Sequence, residues 1–114
     1  MRPLFVFLSS KLFADTNDTT FHAASLVELL HTATLVHDDI NDEANERRGK
    51  PTIHARAGQA KAVIAGDWLF VQGFGLGGRY NESIVTLMAR CCANIAVSEF
   101  HQLDHVLNLA TTPE

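Results

Sequence analysis

Cysteine is nearly absent: the 114 residues contain two, Cys91 and Cys92, adjacent within an apolar run. With no CxxC pair and no Cys/His spacing, neither a disulfide framework nor a zinc finger is indicated, and a reducing, cytoplasmic compartment fits best. Basic residues are also scarce. Nine Lys and Arg against thirteen Asp and Glu leave a formal charge of −4, so no chain-wide basic field exists to capture a nucleic-acid backbone. Asp67 splits the longest apolar region, and no uncharged run approaches the ~20 residues a transmembrane helix needs. The opening MRPLFVFLSS has the make-up of a short signal peptide, but Lys11 interrupts it and no small-x-small cleavage site follows. No segment alternates with a strand's period, and there are no repeats or low-complexity stretches.

What remains is helical. The pattern predicts an all-α, antiparallel helix bundle built from four helices, one domain or part of one over residues 1–114. The first covers about residues 3 to 13, with Pro3 suited to an opening turn. ADTNDTT is a polar connection that offers Asp18, Thr19 or Thr20 as cap for a second helix over about residues 20 to 42. That helix is apolar nearly all the way round, as expected of one buried among neighbours. NDEANERRGKPT is charged and ends in Gly49 and Pro51, which reads as a helix end and a solvent-facing loop. A third helix is expected over about residues 57 to 72 and a fourth, capped by Asn81, over about 82 to 108. GFGLGGRY between them should stop the third helix at its glycines; its spacing is wrong for a dinucleotide-binding turn and no strand precedes it.

Chemistry concentrates in HTATLVHDDINDEANERR, residues 31–48, where two histidines, five carboxylates and two arginines crowd the end of an apolar helix. Asp38 and Asp42 are four apart and share a face, their Cβ atoms about 6 Å from each other. Such a pair suits Mg²⁺, a hard cation that takes one or two carboxylates and fills its other positions with water and substrate phosphates. His31 lies about 20° off the same stripe and roughly 10 Å deeper along the axis. Arg47 and Arg48 follow, and guanidinium groups bind phosphate oxygens in bidentate fashion. Taken singly, each feature has an ordinary reading: a solvated carboxylate pair, a basic helix terminus, a core histidine. Their coincidence at the mouth of one apolar helix points to a substrate carrying a diphosphate.

The string HTATLVHDDINDEANERRGKPT resembles the first aspartate-rich region of the trans-isoprenyl (polyprenyl) diphosphate synthases, DDxxD followed shortly by paired arginines. GQAKAVIAGDWLF is similar to that family's apolar helix with a Gly-Asp pair, and SEFHQL to its Gly-Glu-x-x-Gln helix, with Ser98 in place of the glycine. Arg2 and Pro3 match the end of its Gly-Lys-Arg-x-Arg-Pro motif. The resemblance implies part of the isoprenoid (terpenoid) synthase fold, a prenyltransferase activity of isoprenoid biosynthesis and Mg²⁺ as cofactor. It implies that Asp38 and Asp42 bind the metal with Asp39 assisting, and that Arg47 contacts the allylic diphosphate. Arg2, His31 and Arg48 would contact isopentenyl diphosphate, and Glu99 and Gln102 would line the pocket. Ala33 and Thr34 would form the floor that limits product length; both are small, which implies a medium or long polyprenyl product.

The family's second aspartate-rich motif, its downstream lysine and the Gly-Lys-Arg before Arg2 have no counterpart in these residues. The chain is therefore expected to be inactive by itself, and to pair as a homodimer or with a complete synthase. Two other readings are open: a non-catalytic subunit or truncated relic that binds an intact synthase, and a metal-dependent phosphohydrolase of the HD type. The latter would start from His37 and Asp38 and recruit His22, His31, His101 or His105.

Overall fold

The computed structural model describes residues 1–104. Its elements are α1 (Arg2–Lys11), α2 (Asp18–Asn41), β1 (Glu46–Arg47), β2 (Lys50–Pro51), α3 (Ile53–Ala57), α4 (Gln59–Gly77) and α5 (Glu82–Asp104). They fall into two compact units, Met1–Arg79 and the segment from Tyr80 onward.

In the first unit α2 is the central helix. Asn17 caps it, rather than Asp18, Thr19 or Thr20: its side chain accepts from the Thr20 amide at 3.1 Å while the Thr20 hydroxyl reaches back to the Asn17 amide, a reciprocal capping box. The Thr20 hydroxyl also lies 2.9 Å from that of Ser10, and Phe7 meets Phe21 edge to face at 4.9 Å. These two pairs set α1 antiparallel to α2. α2 is not buried all round. Thr20, Ala24, Leu26, Ala33, Val36 and Asp39 are its buried residues, and the remainder is half-buried or exposed.

α4 packs antiparallel along α2, and glycine decides how closely. Leu30 of α2 faces Gly73 and His37 faces Gly66 so tightly that an added Cβ would come within 2.7 Å of a Leu30 methyl carbon and closer still to His37 Nε2. The glycines expected to stop this helix instead lie inside it, which runs on to Gly77. Gly73 and Gly77 are buried, and the roughly 1 kcal/mol a mid-helix glycine costs is offset by the approach of the two helices.

The segment between α2 and α4 carries more structure than a plain loop. α2 closes in a Schellman arrangement: the Ala44 amide donates to the Asp39 carbonyl at 3.0 Å and the Glu43 amide to that of Ile40 at 3.2 Å, with Glu43 left-handed at φ 51°. A hairpin follows, pairing Glu46 with Pro51 and Arg47 with Lys50. Its two-residue turn, Arg48 and Gly49, has φ of 53° and 76°, positive at both positions as a type I′ turn demands. Thr52, buried, then caps the short α3 by accepting from the Ala55 amide. Gly58, at φ 91°, separates α3 from α4.

Glu43 occupies a position where an L-residue costs about 1–2 kcal/mol. Glu43→Gly is therefore expected to stabilise the chain by about 0.5–1 kcal/mol, part of the gain being lost to glycine's freedom in the unfolded state. Thermal denaturation followed by circular dichroism reads this, and an unchanged or lower Tm would count against the left-handed cap.

The second unit is described as α5 alone, capped by Asn81, whose side chain accepts from the Ile84 amide at 3.0 Å. The expected residues 105–108 lie outside the described residues. α5 is the one described helix long and apolar enough to cross a membrane by length and composition. Arg90 at its middle and Glu99 near its end keep its uncharged stretches far short of the ~20 residues a span requires.

Candidate active site

The carboxylates of α2 part company at the helix end. Asp39 turns inward: it is 7 % exposed, and its Oδ1 accepts from Arg47 Nε at 2.5 Å across the turn. Asp38 is half-buried, and Asp42, the C-cap, is exposed. Among the described residues neither the Asp38 nor the Asp42 carboxylate has a hydrogen-bond or salt-bridge partner. Burial, followed by repulsion from Asp42, pushes the Asp38 pKa above the usual carboxylate value, and the nearby Arg47 charge opposes the rise. Two oxygen donors one turn apart, the charge of Asp42 adding to the cost of ionising Asp38, fit a divalent metal ion's requirement for hard ligands. No group of three or more His, Cys, Asp or Glu converges among the described residues, so a metal here would complete its shell from water and substrate oxygens.

Three guanidinium groups bear on the same stripe. His31 is half-buried, and burial is the first cause holding its pKa below the usual histidine value; Arg2 and, more weakly, Arg48 lower it further, against Glu28 and Asp38. Arg2, at the start of α1, and Arg48, in the hairpin turn, are thus both brought close enough to His31 to act on its charge, and both are exposed. Arg47 acts on Asp38 in the same way. The fold so assembles residues scattered over positions 2 to 48 around one helix face.

Other predicted site residues are placed differently. Ala33 has no exposed surface; at about 140° from Asp38 it shares the side of α2 that holds Leu30 and His37, the residues facing α4. Thr34 is half-buried, about 40° from Asp38, and its hydroxyl donates to the His31 carbonyl at 2.8 Å. Glu99, half-buried, and Gln102, exposed, lie on α5 in the second unit.

Two features escaped the sequence. One is the Asp39–Arg47 pair. The other is the seating of His37 against α4: its Nε2 lies 3.4 Å from both the Val63 carbonyl and Asp67 Oδ1, with its ring over Gly66 and 5.8 Å from that of Phe70. The Gly-Asp pair in the third predicted helix was the available signal: the glycine admits the imidazole and the aspartate receives it.

Nothing in this placement supports the phosphohydrolase reading: among the described residues no group of three or more His, Cys, Asp or Glu converges, His37 lies against α4 and His22 lies 3.4 Å from Arg79. His105 falls outside the described residues. A family model described as polyprenyl synthetase matches residues 1–113. The chain belongs to the polyprenyl synthetase family. It is 46 % identical over 76 residues to a geranylgeranyl diphosphate synthase of Sulfolobus acidocaldarius, covering 67 % of this chain and 23 % of that protein. It is 36 % identical over 118 residues to solanesyl diphosphate synthase 1 of Arabidopsis thaliana, covering 97 % of this chain and 29 % of the relative. Among solved structures, the polyprenyl synthase from Caulobacter crescentus, complexed with calcium and isoprenyl diphosphate, superposes with a TM-score of 0.91 at 36 % identity, covering 97 % of this chain and 34 % of that one. The all-helical architecture is accordingly that of the isoprenoid synthases. This polyprenyl synthetase chain spans about a third or less of the length of these proteins.

Proposed function

We propose that this chain forms the first aspartate-bearing wall of a prenyltransferase that condenses isopentenyl diphosphate with an allylic diphosphate, giving a medium- or long-chain trans-polyprenyl diphosphate. The observation that carries the reading is the unpartnered pair Asp38 and Asp42 on a helix face that Arg2, Arg47 and Arg48 surround.

Asp38 and Asp42 would hold Mg²⁺, which when bound supplies positive charge to the departing diphosphate. Arg47 binds the allylic diphosphate beside them, its guanidinium stabilising charge that grows as the carbon–oxygen bond breaks. Arg2, His31 and Arg48 hold the diphosphate of isopentenyl diphosphate; His31, its pKa lowered, acts there as a neutral hydrogen-bond donor. The alkene of isopentenyl diphosphate forms the new carbon–carbon bond, inorganic diphosphate leaves, and loss of one proton restores an allylic product. Apolar helical walls exclude the water that would otherwise quench the cation. Glu99 and Gln102 are assigned to the pocket lining, and Ala33 and Thr34 to its floor.

The chain is read as cytoplasmic, supported by its two free cysteines. Its exposed Ile64, Trp68 and Val71, on α4, support association with a second copy or a complete synthase; that same surface favours, as a second reading, a non-catalytic subunit bound to an intact enzyme.

The test is a chimera in which this chain replaces the matching third of the Caulobacter crescentus polyprenyl synthase. With labelled isopentenyl diphosphate, an allylic primer and Mg²⁺, it is expected to incorporate label into polyprenyl diphosphates. A chimera that is folded by circular dichroism but incorporates nothing would sink the catalytic reading.

A further inference from the structure

Of the three aspartates in the DDIND sequence, Asp39 alone is buried, and among the described residues its carboxylate alone is paired. Its two polar ends both tie down the segment that follows the helix. The main-chain carbonyl receives the Ala44 amide and closes α2, while the carboxylate receives Arg47 Nε from the first strand of the hairpin. Downstream the hairpin is closed by the Thr52 amide donating to the Asn45 carbonyl at 3.1 Å. At its tip Arg48 sits in a left-handed conformation that an arginine adopts only when its surroundings hold it there.

A charge-assisted hydrogen bond made at a mostly buried carboxylate is among the stronger links available to such a small hairpin. Two hairpin strands of two residues each cannot order themselves. Something must fix the Glu46–Pro51 ribbon against α2, and the Asp39–Arg47 bond is the charged side-chain link that the structure provides. It uses one of the five donors of Arg47, so the outer guanidinium nitrogens stay free for phosphate oxygens.

We propose that Asp39 is a positioning residue: its carboxylate holds Arg47, and through it the hairpin, so that Arg47 and Arg48 are presented to a diphosphate while Asp38 and Asp42 keep the metal. The proposal rests on the diphosphate reading given above and deepens it by separating the three carboxylates into two tasks. Arg47 Nε already occupies Oδ1 of this nearly buried carboxylate, so a cation at Asp39 would have to share it with the guanidinium.

The experiment uses the full chain and two measurements. Amide hydrogen exchange by nuclear magnetic resonance follows Thr52, as reporter of the hairpin, and the α2 amides as a control for the fold. Calorimetric titrations use Mg²⁺ alone, then inorganic pyrophosphate in the presence of Mg²⁺. In Asp39→Asn the Thr52 amide is expected to exchange at least about tenfold faster, the scale of losing one charge-assisted bond, while α2 keeps its protection. Affinity for Mg²⁺ alone should stay within about twofold, and pyrophosphate affinity should fall about tenfold. In the Arg47→Met background, Asp39→Asn should then add less than about a further twofold, because the aspartate acts through that arginine.

A drop in affinity for Mg²⁺ alone, or full additivity with Arg47→Met, would make Asp39 a metal ligand and overturn the proposal. So would unchanged exchange at Thr52. If Asp39→Asn unfolds the chain, Arg47→Met breaks the same link from its more exposed end: faster Thr52 exchange in that variant supports the proposal and unchanged exchange overturns it. If the unmodified chain binds no pyrophosphate, the diphosphate reading fails by itself, and hydrogen exchange still decides whether Asp39 holds the hairpin.

Discussion

Asp38→Asn is expected to lower prenyl transfer by the chimera by on the order of 10²–10³-fold, the scale of removing one preorganised electrostatic contact to a developing charge, and yet to leave the chain more stable at neutral pH. The two effects have one origin. Burial and the neighbouring Asp42 raise the pKa of Asp38 in the folded state, so the fold favours its neutral form. For a carboxylate whose folded pKa lies above its unfolded value, the stabilising contribution is complete below the unfolded pKa and disappears as pH rises through the folded one. At neutral pH Asp38 is therefore a charged group that the fold tolerates at a cost. Asparagine has nearly the same shape and no charge. The Tm of Asp38→Asn should exceed that of the unmodified chain at pH 7, and the two should converge as pH falls below the ordinary carboxylate range. Adding Mg²⁺ with inorganic pyrophosphate should raise the Tm of the unmodified chain, since a ligand that binds only the folded state stabilises it. It should leave Asp38→Asn unmoved. A variant less stable than its parent at pH 7, or one that keeps the ligand-induced rise, would show that Asp38 is an ordinary structural carboxylate.

The contrast between Asp38 and Asp39 marks how far local sequence rules reach. Spacings of four and seven residues placed Asp38, Asp42 and His31 on one stripe because helix geometry alone fixes those relations. Asn81 as a cap and the all-helical class followed from equally local patterns. The Asp39–Arg47 bond spans eight residues and crosses a helix terminus, where no periodicity applies. Its visibility depended on the hairpin, and the hairpin was hidden because Arg48, rather than the usual asparagine or glycine, takes the first left-handed turn position. α4 shows the opposite failure. Gly73, Gly75 and Gly77 gave a correct local warning of a weak helix, and packing overrode it: Gly66 and Gly73 admit His37 and Leu30 to distances any side chain would forbid. A glycine's propensity is written in its own sequence window. The neighbour it makes room for, here 29 residues away for Gly66 and 43 for Gly73, is not.

That close helix pairing also separates the two residues proposed to limit product length. In the chimera, Thr34→Phe and Ala33→Phe are both expected to shift the polyprenyl products to shorter chains, but with unequal effects on stability. Thr34 lies on the side of α2 that carries Asp38 and is half-buried, so a phenyl ring there extends into the space a growing chain would occupy. The substitution gives up one hydroxyl bond to the His31 carbonyl, a contact worth about 0.5–1.5 kcal/mol, and regains part of that by burying apolar surface. Ala33 is fully buried, on the side where Leu30 and His37 meet the glycines of α4. A ring at that position has to take its volume from the helix pairing, at a cost of about 1–3 kcal/mol, and any shift of His37 is transmitted to Asp38, the next residue. Ala33→Phe should therefore shorten the product, depress Tm and reduce the rate together, whereas Thr34→Phe should change product length with little loss of either. Chromatography of the labelled products beside a melting curve of each variant separates these outcomes. If Thr34→Phe left the distribution of chain lengths unchanged while the chimera remained folded and active, the floor would have to be built by other residues.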